Sequence, residues 1–364
     1  EDVFLFNLDA DPGETTDLSD AFPETRDRLA REFSAWEAGL DKMHWTTGEQ
    51  DLNRFDRFRY RAVSPFAQWT HADVWFREDT QTPVTLRPED ACSGAILEFP
   101  AADHGYNAAN GAPRMTGLDF MLNQIECTGA SSAQEPALAE ISGLPLLFVP
   151  SLAGDPPRIE LAARAPAFGF EIGNALRFLG PLQLAGDGDA PFTITGPLTE
   201  HLPGQSITKT GAHAVRLTDR AACSGPITIR AGRLELAGAG AALQSDATVA
   251  VEPGARLTVG DGARIDAPLT LSRGIIDGRG LRIIAGDYDQ DSDADLRIEI
   301  GPFGPGYETD RMLILGDAAL AGRLTLSLSD GFLPRLGAAY GFVSALSVQG
   351  GFSEVVQPPH PTGV

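Results

Sequence analysis

Lysine is almost missing from this chain of 364 residues: Lys42 and Lys209 are the only two, among 28 basic residues set against 50 acidic ones. The formal net charge of −22 repels nucleic acid and anionic membrane surfaces, so neither is expected as a partner. Cysteine is equally scarce. Cys92, Cys127 and Cys223 form no CxxC pair, which excludes a zinc site or a disulfide framework as the organising device. Each is followed by Ser or Thr and then Gly, and each reads as a small buried hydrophobe. No apolar run reaches the ~18–20 residues that span a bilayer. The chain begins without methionine or signal peptide, inside an apolar strand, and is therefore expected to be a fragment.

Helical periodicity is the next scarcity. One segment carries it: Pro23 opens "ETRDRLAREFSAWEAGL", in which Leu29, Phe33, Trp36 and Leu40 make one apolar stripe and Arg26, Asp27, Arg31 and Glu37 fall on other faces. The spacing predicts a helix that stops near Gly39. Residues 41–67 mix charge with aromatics without a clean period, and arginines 54, 57, 59 and 61 are interleaved with acids, as in a linker lying over a neighbouring surface.

From about residue 68 the texture turns to short alternating strands separated by Gly, Pro, Asn and Asp, among them "GAILEFP", "GLDFMLNQIECTG", "PRIELAA" and "FGFEIGNALRFLG". That pattern predicts an all-β architecture. A repeat selects the type. "ITIRAGRLELAG", "TVAVEPGARLTVG" and "LTLSRGIIDGRG" each carry two glycines six residues apart: Gly232 with Gly238, Gly254 with Gly260, Gly274 with Gly280. A period near 20 with two short strands per unit suits the coils of a β-solenoid, each burying its inward side chains on the next. Leu234, Leu236, Leu257, Val259, Leu269, Leu271 and Ile275 are the expected core positions, and the six glycines the expected turns.

Two family resemblances extend this reading. Leu5, Phe6, Asn7 and Leu8, followed by Asp11, Pro12, Glu14, Asp17 and Leu18, resemble the strand and turn at the C-terminal end of type I sulfatases. The resemblance implies a strand covered on one face by Leu29, Phe33 and Trp36 and on the other by the family's catalytic domain. It covers only residues 1–40. The family's nucleophile is formylglycine made within C/S-x-P-S-R, used with calcium, and Cys92, Cys127 and Cys223 all lack the Pro and Arg of that motif. Formylglycine and calcium are therefore expected in the parent's missing sulfatase domain, with no cofactor and no catalytic residue in this chain.

The second resemblance is to autotransporter-associated β-strand repeats, carried by Lys209, Thr210, Gly211, Leu217, Ser224, Gly225, Thr228, Ile229, Ala231, Gly232 and Leu234. His213, Asp219, Ala221 and Cys223 depart from that pattern. Residues 64–357 fit such a region, which serves as scaffold or passenger. The expected fold is mainly β: a right-handed parallel β-helix or solenoid with an N-terminal strand-plus-helix remnant of an α/β sulfatase domain. Its parts would be 1–45 remnant, 46–67 linker, 68–205 N-terminal solenoid strands, 206–357 autotransporter-like repeats and 358–364 a truncated tail.

Asp287, Asp289, Asp291 and Asp293 alternate as calcium ligands could, yet an EF-hand counted from Asp289 would need Gly where Ala294 stands and Glu where Ile300 stands. The bland alternative is a solvated turn. Glu160, Glu171, Asp187 and Asp189 are candidates for an acid and base pair in a solenoid glycosidase or lyase. His44, His71, His104 and His213 form no metal-binding grouping and read as surface or linker residues. The expected whole is the C-terminal portion of a secreted, periplasmic or cell-surface sulfatase, with its own catalytic domain as partner and cell-surface components or polysaccharide as further candidates. The competing reading is a surface adhesin or glycan-binding passenger without enzyme activity.

Overall fold

In the computed structural model the described residues are 5–7, 11, 13, 15–39, 57–61, 66–69, 74–77, 83–84, 86, 93–102, 104–110, 119–131, 136–304, 307–329, 331–335 and 337–358. Two compact units form, Glu1–Asp51 and Leu52–Val364.

The first unit contains the helix Pro23–Gly39. Leu29, from the expected apolar stripe, is exposed, and the side chains of Phe33 and Trp36 lie outside the described set. Residues 5–7 form no strand. Their backbone is instead held by the turn that follows, with the Leu5 N–H donating to the Asp17 carboxylate at 3.0 Å and the Leu18 N–H donating to the Leu5 carbonyl at 2.7 Å. A strand needs a neighbour's ladder, and these bonds take its place. In the same turn the Asp11 carboxylate accepts the N–H groups of Thr15 and Thr16 at 2.8 and 2.7 Å. The Thr16 bond contributes most to holding that carboxyl below its usual range.

The second unit is a parallel β-helix. One chain winds through three sheets of 14, 10 and 13 strands, visiting each in turn, so that strands three apart in sequence are neighbours in space. Each coil thus has three strands, where the sequence suggested two. The period is short in the middle and longer at the ends: 20 residues separate Ile207 from its partner Ile227, against 34 between Ile125 and Ile159 and 30 between Tyr288 and Ala318. Regular glycines mark only the short coils, which is why the repeat was visible just there.

Stacking begins earlier than expected and does not pause. Arg57–Tyr60 pairs in parallel with Ile96–Pro100, and Phe66–Gln68 with Tyr106–Ala109, so these two parts of the supposed linker are the opening strands of the solenoid. Across the expected boundary at 205/206, Leu182–Ala185 pairs directly with Ile207–Lys209. At this end the antiparallel strand Trp75–Arg77 covers the edge of Arg57–Tyr60, and itself pairs with Pro83–Val84. Tyr60, Trp69, Trp75, Phe99, Tyr106 and Phe120 plug the adjacent bore, with ring centroids 5.1–6.1 Å apart.

Alternation of small strands decides what lies in the bore. Leu234, Leu236, Leu257 and Val259 point inward and are buried. Leu269, Leu271 and Ile275 do not: Thr270, Ser272 and Ile276 take the inward positions beside them. Parallel pairing with Thr248–Val251, whose Val249 and Val251 face inward, fixes that register. The small Thr270 is matched one rung on by Tyr288, a full ring in the bore. Corners are closed by buried amides. Asn174 Nδ2 donates to Asn110 Oδ1 at 3.1 Å and to the Leu144 carbonyl at 2.8 Å, and Asn123 Nδ2 donates to the Val149 carbonyl at 2.8 Å.

Candidate functional site

The outward face of the third sheet gathers charge from five coils. Parallel register stacks Arg216, Glu235, Thr258 and Asp277 on successive rungs, with Arg233 and Arg256 side by side in the neighbouring column. On the rungs beyond, Arg297 faces Thr325, and Arg279 reaches Glu299. Together they line a groove of about 640 Å³ that holds five arginines, in a chain poor in basic residues.

Each cation is matched by a carboxylate. Arg233 contacts Glu235, which Arg216 approaches at 3.8 Å; Arg256 contacts Asp277, which also accepts the Thr258 hydroxyl at 2.7 Å. Arg279 forks onto Glu299 at 3.0 and 3.1 Å, and Arg297 meets Asp295 at 2.8 Å. Deeper in the groove Asp310 is fully buried. It accepts the N–H groups of Gly280 and Glu299 at 2.8 Å each, and burial raises its carboxyl above the usual range. Not every donor is used. Arg233 and Arg256 each keep a buried Nε–H without a hydrogen-bond partner. Those two N–H groups face the protein; toward the groove the guanidinium heads and the hydroxyls of Thr258, Thr325 and Ser327 recur at the spacing of the rungs, about 4.8 Å. The groove can hold hydroxyl-rich or anionic groups, and its near-balanced charge gives no long-range pull. Along the sequence these arginines form no local motif. The signal that would have found them is the coil period, which places Arg233 opposite Arg256.

A second charged ladder lies on the first sheet. Glu98, Glu126 and Glu160 stack on three consecutive rungs. Arg57 holds Glu126 with a bidentate contact whose longer arm is 2.9 Å, Arg158 meets Glu160 at 2.8 Å, and Thr128 donates to Glu98 at 2.6 Å.

The residues singled out for chemistry are not brought together. Glu160 lies on the first sheet and Glu171 on the third. Asp187 and Asp189 cap turns, accepting the N–H groups of Ala212 and Ala165 at 2.8 Å. Asp287 and Asp289 point outward from the strand Asp287–Gln290, with Tyr288 and Gln290 inward between them, so this stretch is a rung of the first sheet rather than a turn. Asp291 binds its own Ser292 N–H, and Asp293 is exposed. Among the described residues no three His, Cys, Asp or Glu side chains cluster as a metal site needs. Cys127 and Cys223 are buried free thiols, with burial pushing the Cys223 thiol up to about 12, and Cys92 lies outside the described residues. His213 is not at the surface: it is 3% exposed and its Nδ1 lies 2.8 Å from the Gly186 carbonyl; His104 is exposed, and His44 and His71 lie outside the described residues.

The glycine turns divide. Gly232 and Gly254 have φ of 66° and 80°, Gly238 and Gly280 90° and 77°, all in the left-handed region. Gly274 does not need that region, but a Cβ there would press on the Glu252 and Ala255 carbonyls; at Gly260 it would stand 2.8 Å from the Leu236 carbonyl. Register sets Gly254 and Gly260 one residue out of step with their counterparts, since Arg233, Arg256 and Ile275 are the paired residues. No protein-family model matches the chain, and neither a curated protein nor a solved structure matches it.

Proposed function

We propose that this chain is the C-terminal portion of a secreted or cell-surface sulfate-ester hydrolase, and that its β-solenoid acts as scaffold, spacer or attachment module for that enzyme. The observation that carries the spacer role is the unbroken parallel stack of the first sheet, from Arg57–Tyr60 to Val348–Gly350. Twelve parallel strands at about 4.8 Å make a rod of roughly 50 Å. The parent's identity rests on the resemblance of residues 5–18 to the end of type I sulfatases, and the right-handed winding on the general preference of parallel crossovers. Formylglycine and calcium belong to the parent's catalytic domain in this reading, and the chain by itself turns over no aryl sulfate.

The second reading, a glycan-binding passenger, is favoured by one observation, the arginine groove of the third sheet. The test separates the two. The full chain is titrated with carrageenan, fucoidan and an unsulfated polymer at low and high salt. The spacer reading expects no binding selective for the sulfated polymers. Tight, salt-sensitive binding that is abolished by Arg233→Ala with Arg256→Ala would replace it with the glycan-binding reading.

A further inference from the structure

One coil in the middle of the solenoid puts polar side chains where the coil before it has valines. Val249 and Val251 face inward from the first sheet, and the residues paired with them on the next rung are Thr270 and Ser272. On the second sheet of that same coil the strand Leu281–Ile284 turns Arg282 and Ile284 inward. Ile284 continues the column of Ile265, but Arg282 brings a guanidinium into the bore, where it is only 1% exposed. A guanidinium keeps its proton in a protein, so this charge persists and needs compensation.

That compensation does not touch it. Among the described residues no carboxylate forms an ion pair with Arg282, and its one hydrogen bond runs from Nη1 to the Arg297 carbonyl at 3.4 Å, long for such a bond. The acids whose charge it feels are Asp310 and Asp277. Both are committed elsewhere: Asp310 accepts the N–H groups of Gly280 and Glu299, and Asp277 holds Arg256 and the Thr258 hydroxyl. Lys209, the other cation in the bore, shows the contrast, since its ammonium donates to three carbonyls at 2.8–3.2 Å.

Arg282 Nε and Nη2 have no hydrogen-bond partner, and neither has the Ser272 hydroxyl on the first-sheet wall of the same coil. Burial raises the Tyr288 phenol on the next rung while Ser272 and Arg282 both pull against that rise, which sets the two side chains near one hydroxyl. The unused groups are one-sided in chemistry. Guanidinium N–H groups only donate, and a hydroxyl can turn its proton the same way. Such a set repels a cation, and water would answer its hydrogen bonds while leaving the buried charge unanswered. A small anion answers both.

We propose that the bore binds a monovalent anion of the size of chloride at this coil, held by Arg282 Nε and Nη2 and by the Ser272 hydroxyl. The inward residues around it, Ile276, Ile284, Leu296 and Met312, are apolar and buried, and supply none of the further donors that a sulfate or phosphate requires. Thr270 lies in the Tyr288 column and takes no part. The anion is an internal fastener of the rod, separate from the arginine groove on its outer face.

The experiment compares urea midpoints of the full chain in sodium gluconate and in sodium chloride at one fixed ionic strength, so that general screening is equal. The midpoint is expected to rise as chloride replaces gluconate and then to level off, as the filling of one site demands, and the rise is expected to be lost in Arg282→Met. Equal midpoints in the two salts, or the same rise in Arg282→Met, would overturn the proposal. Should Arg282→Met misfold, crystals of the unaltered chain soaked in sodium bromide decide. An anomalous peak in the bore beside Arg282 and Ser272 is expected; bromide at surface arginines alone, or a water in that place, counts against it.

Discussion

Burial puts His213 and Lys209 in unusual states. Lys209 points into the bore and gives its ammonium to three carbonyls, those of Thr210, Gly211 and Ala231, at 2.8–3.2 Å. Burial pulls its pKa down to about 8. Burial first, and that neighbouring ammonium next, hold the His213 imidazole down to about 4 from 6.5. Between those two values the unfolded chain takes up a proton that the folded one refuses, so stability is lost as pH falls from 6.5 towards 4. The ceiling is about 3 kcal/mol. Urea midpoints measured at pH 7.5 and 4.5 should drop further for the unaltered chain than for His213→Gln, and equal drops would show that His213 does not carry the effect. At Gly254, with φ of 80° and open space around it, strain is the only penalty for a side chain. Gly254→Val should cost about 1–2 kcal/mol and Gly254→Asn less, since Asn tolerates the left-handed region. An equal cost for both in urea melts would point to packing instead.

The strand Leu269–Ser272 shows where element-level reading fails. Counted by hydrophobicity, its leucines belong in the core, yet Thr270 and Ser272 face inward because the register of Val249 and Val251 on the preceding rung is inherited. Period-two alternation reveals the two faces of a strand but not which is inside when both carry bulk. By contrast "RLEL" and "RLTV" alternate charge or hydroxyl with aliphatic residues, and there Leu234, Leu236, Leu257 and Val259 were legible at once. Thr270 is fully buried and its hydroxyl has no hydrogen-bond partner. Replacing it by the near-isosteric Val removes an unsatisfied polar group, so Thr270→Val should raise stability by about 1 kcal/mol. A loss instead would mean that the hydroxyl is satisfied, for instance by an internal water. At the N-terminus the expected strand is absent at residues 5–7 because a strand is not a property of its own residues; the Asp17 carboxylate supplies the bond that a neighbouring ladder would have given.

For the molecule as a whole, the solenoid was legible from three glycine pairs, and its extent was not. Coils of 30 or more residues carry long corners that break the repeat, so residues 57–60 read as linker although they pair with Ile96–Pro100. The arginine groove stayed hidden for a related reason: its members lie about one coil apart, a spacing no local motif search samples. The central claim is that neighbouring coils stack into one rigid spacer. Gln124 and Ala319 lie in a single outward column of the first sheet, eight rungs apart by the chain of partners through Arg158, Gln183, Thr208, Thr228, Ala250, Leu271 and Asp289. Eight spacings amount to about 38 Å. Spin labels at Gln124→Cys and Ala319→Cys, read by pulsed dipolar spectroscopy, should give one narrow distance distribution near that value, widened only by the label arms. A broad distribution, or a dominant distance below about two thirds of it, would contradict the stacked rod and the spacer role built on it.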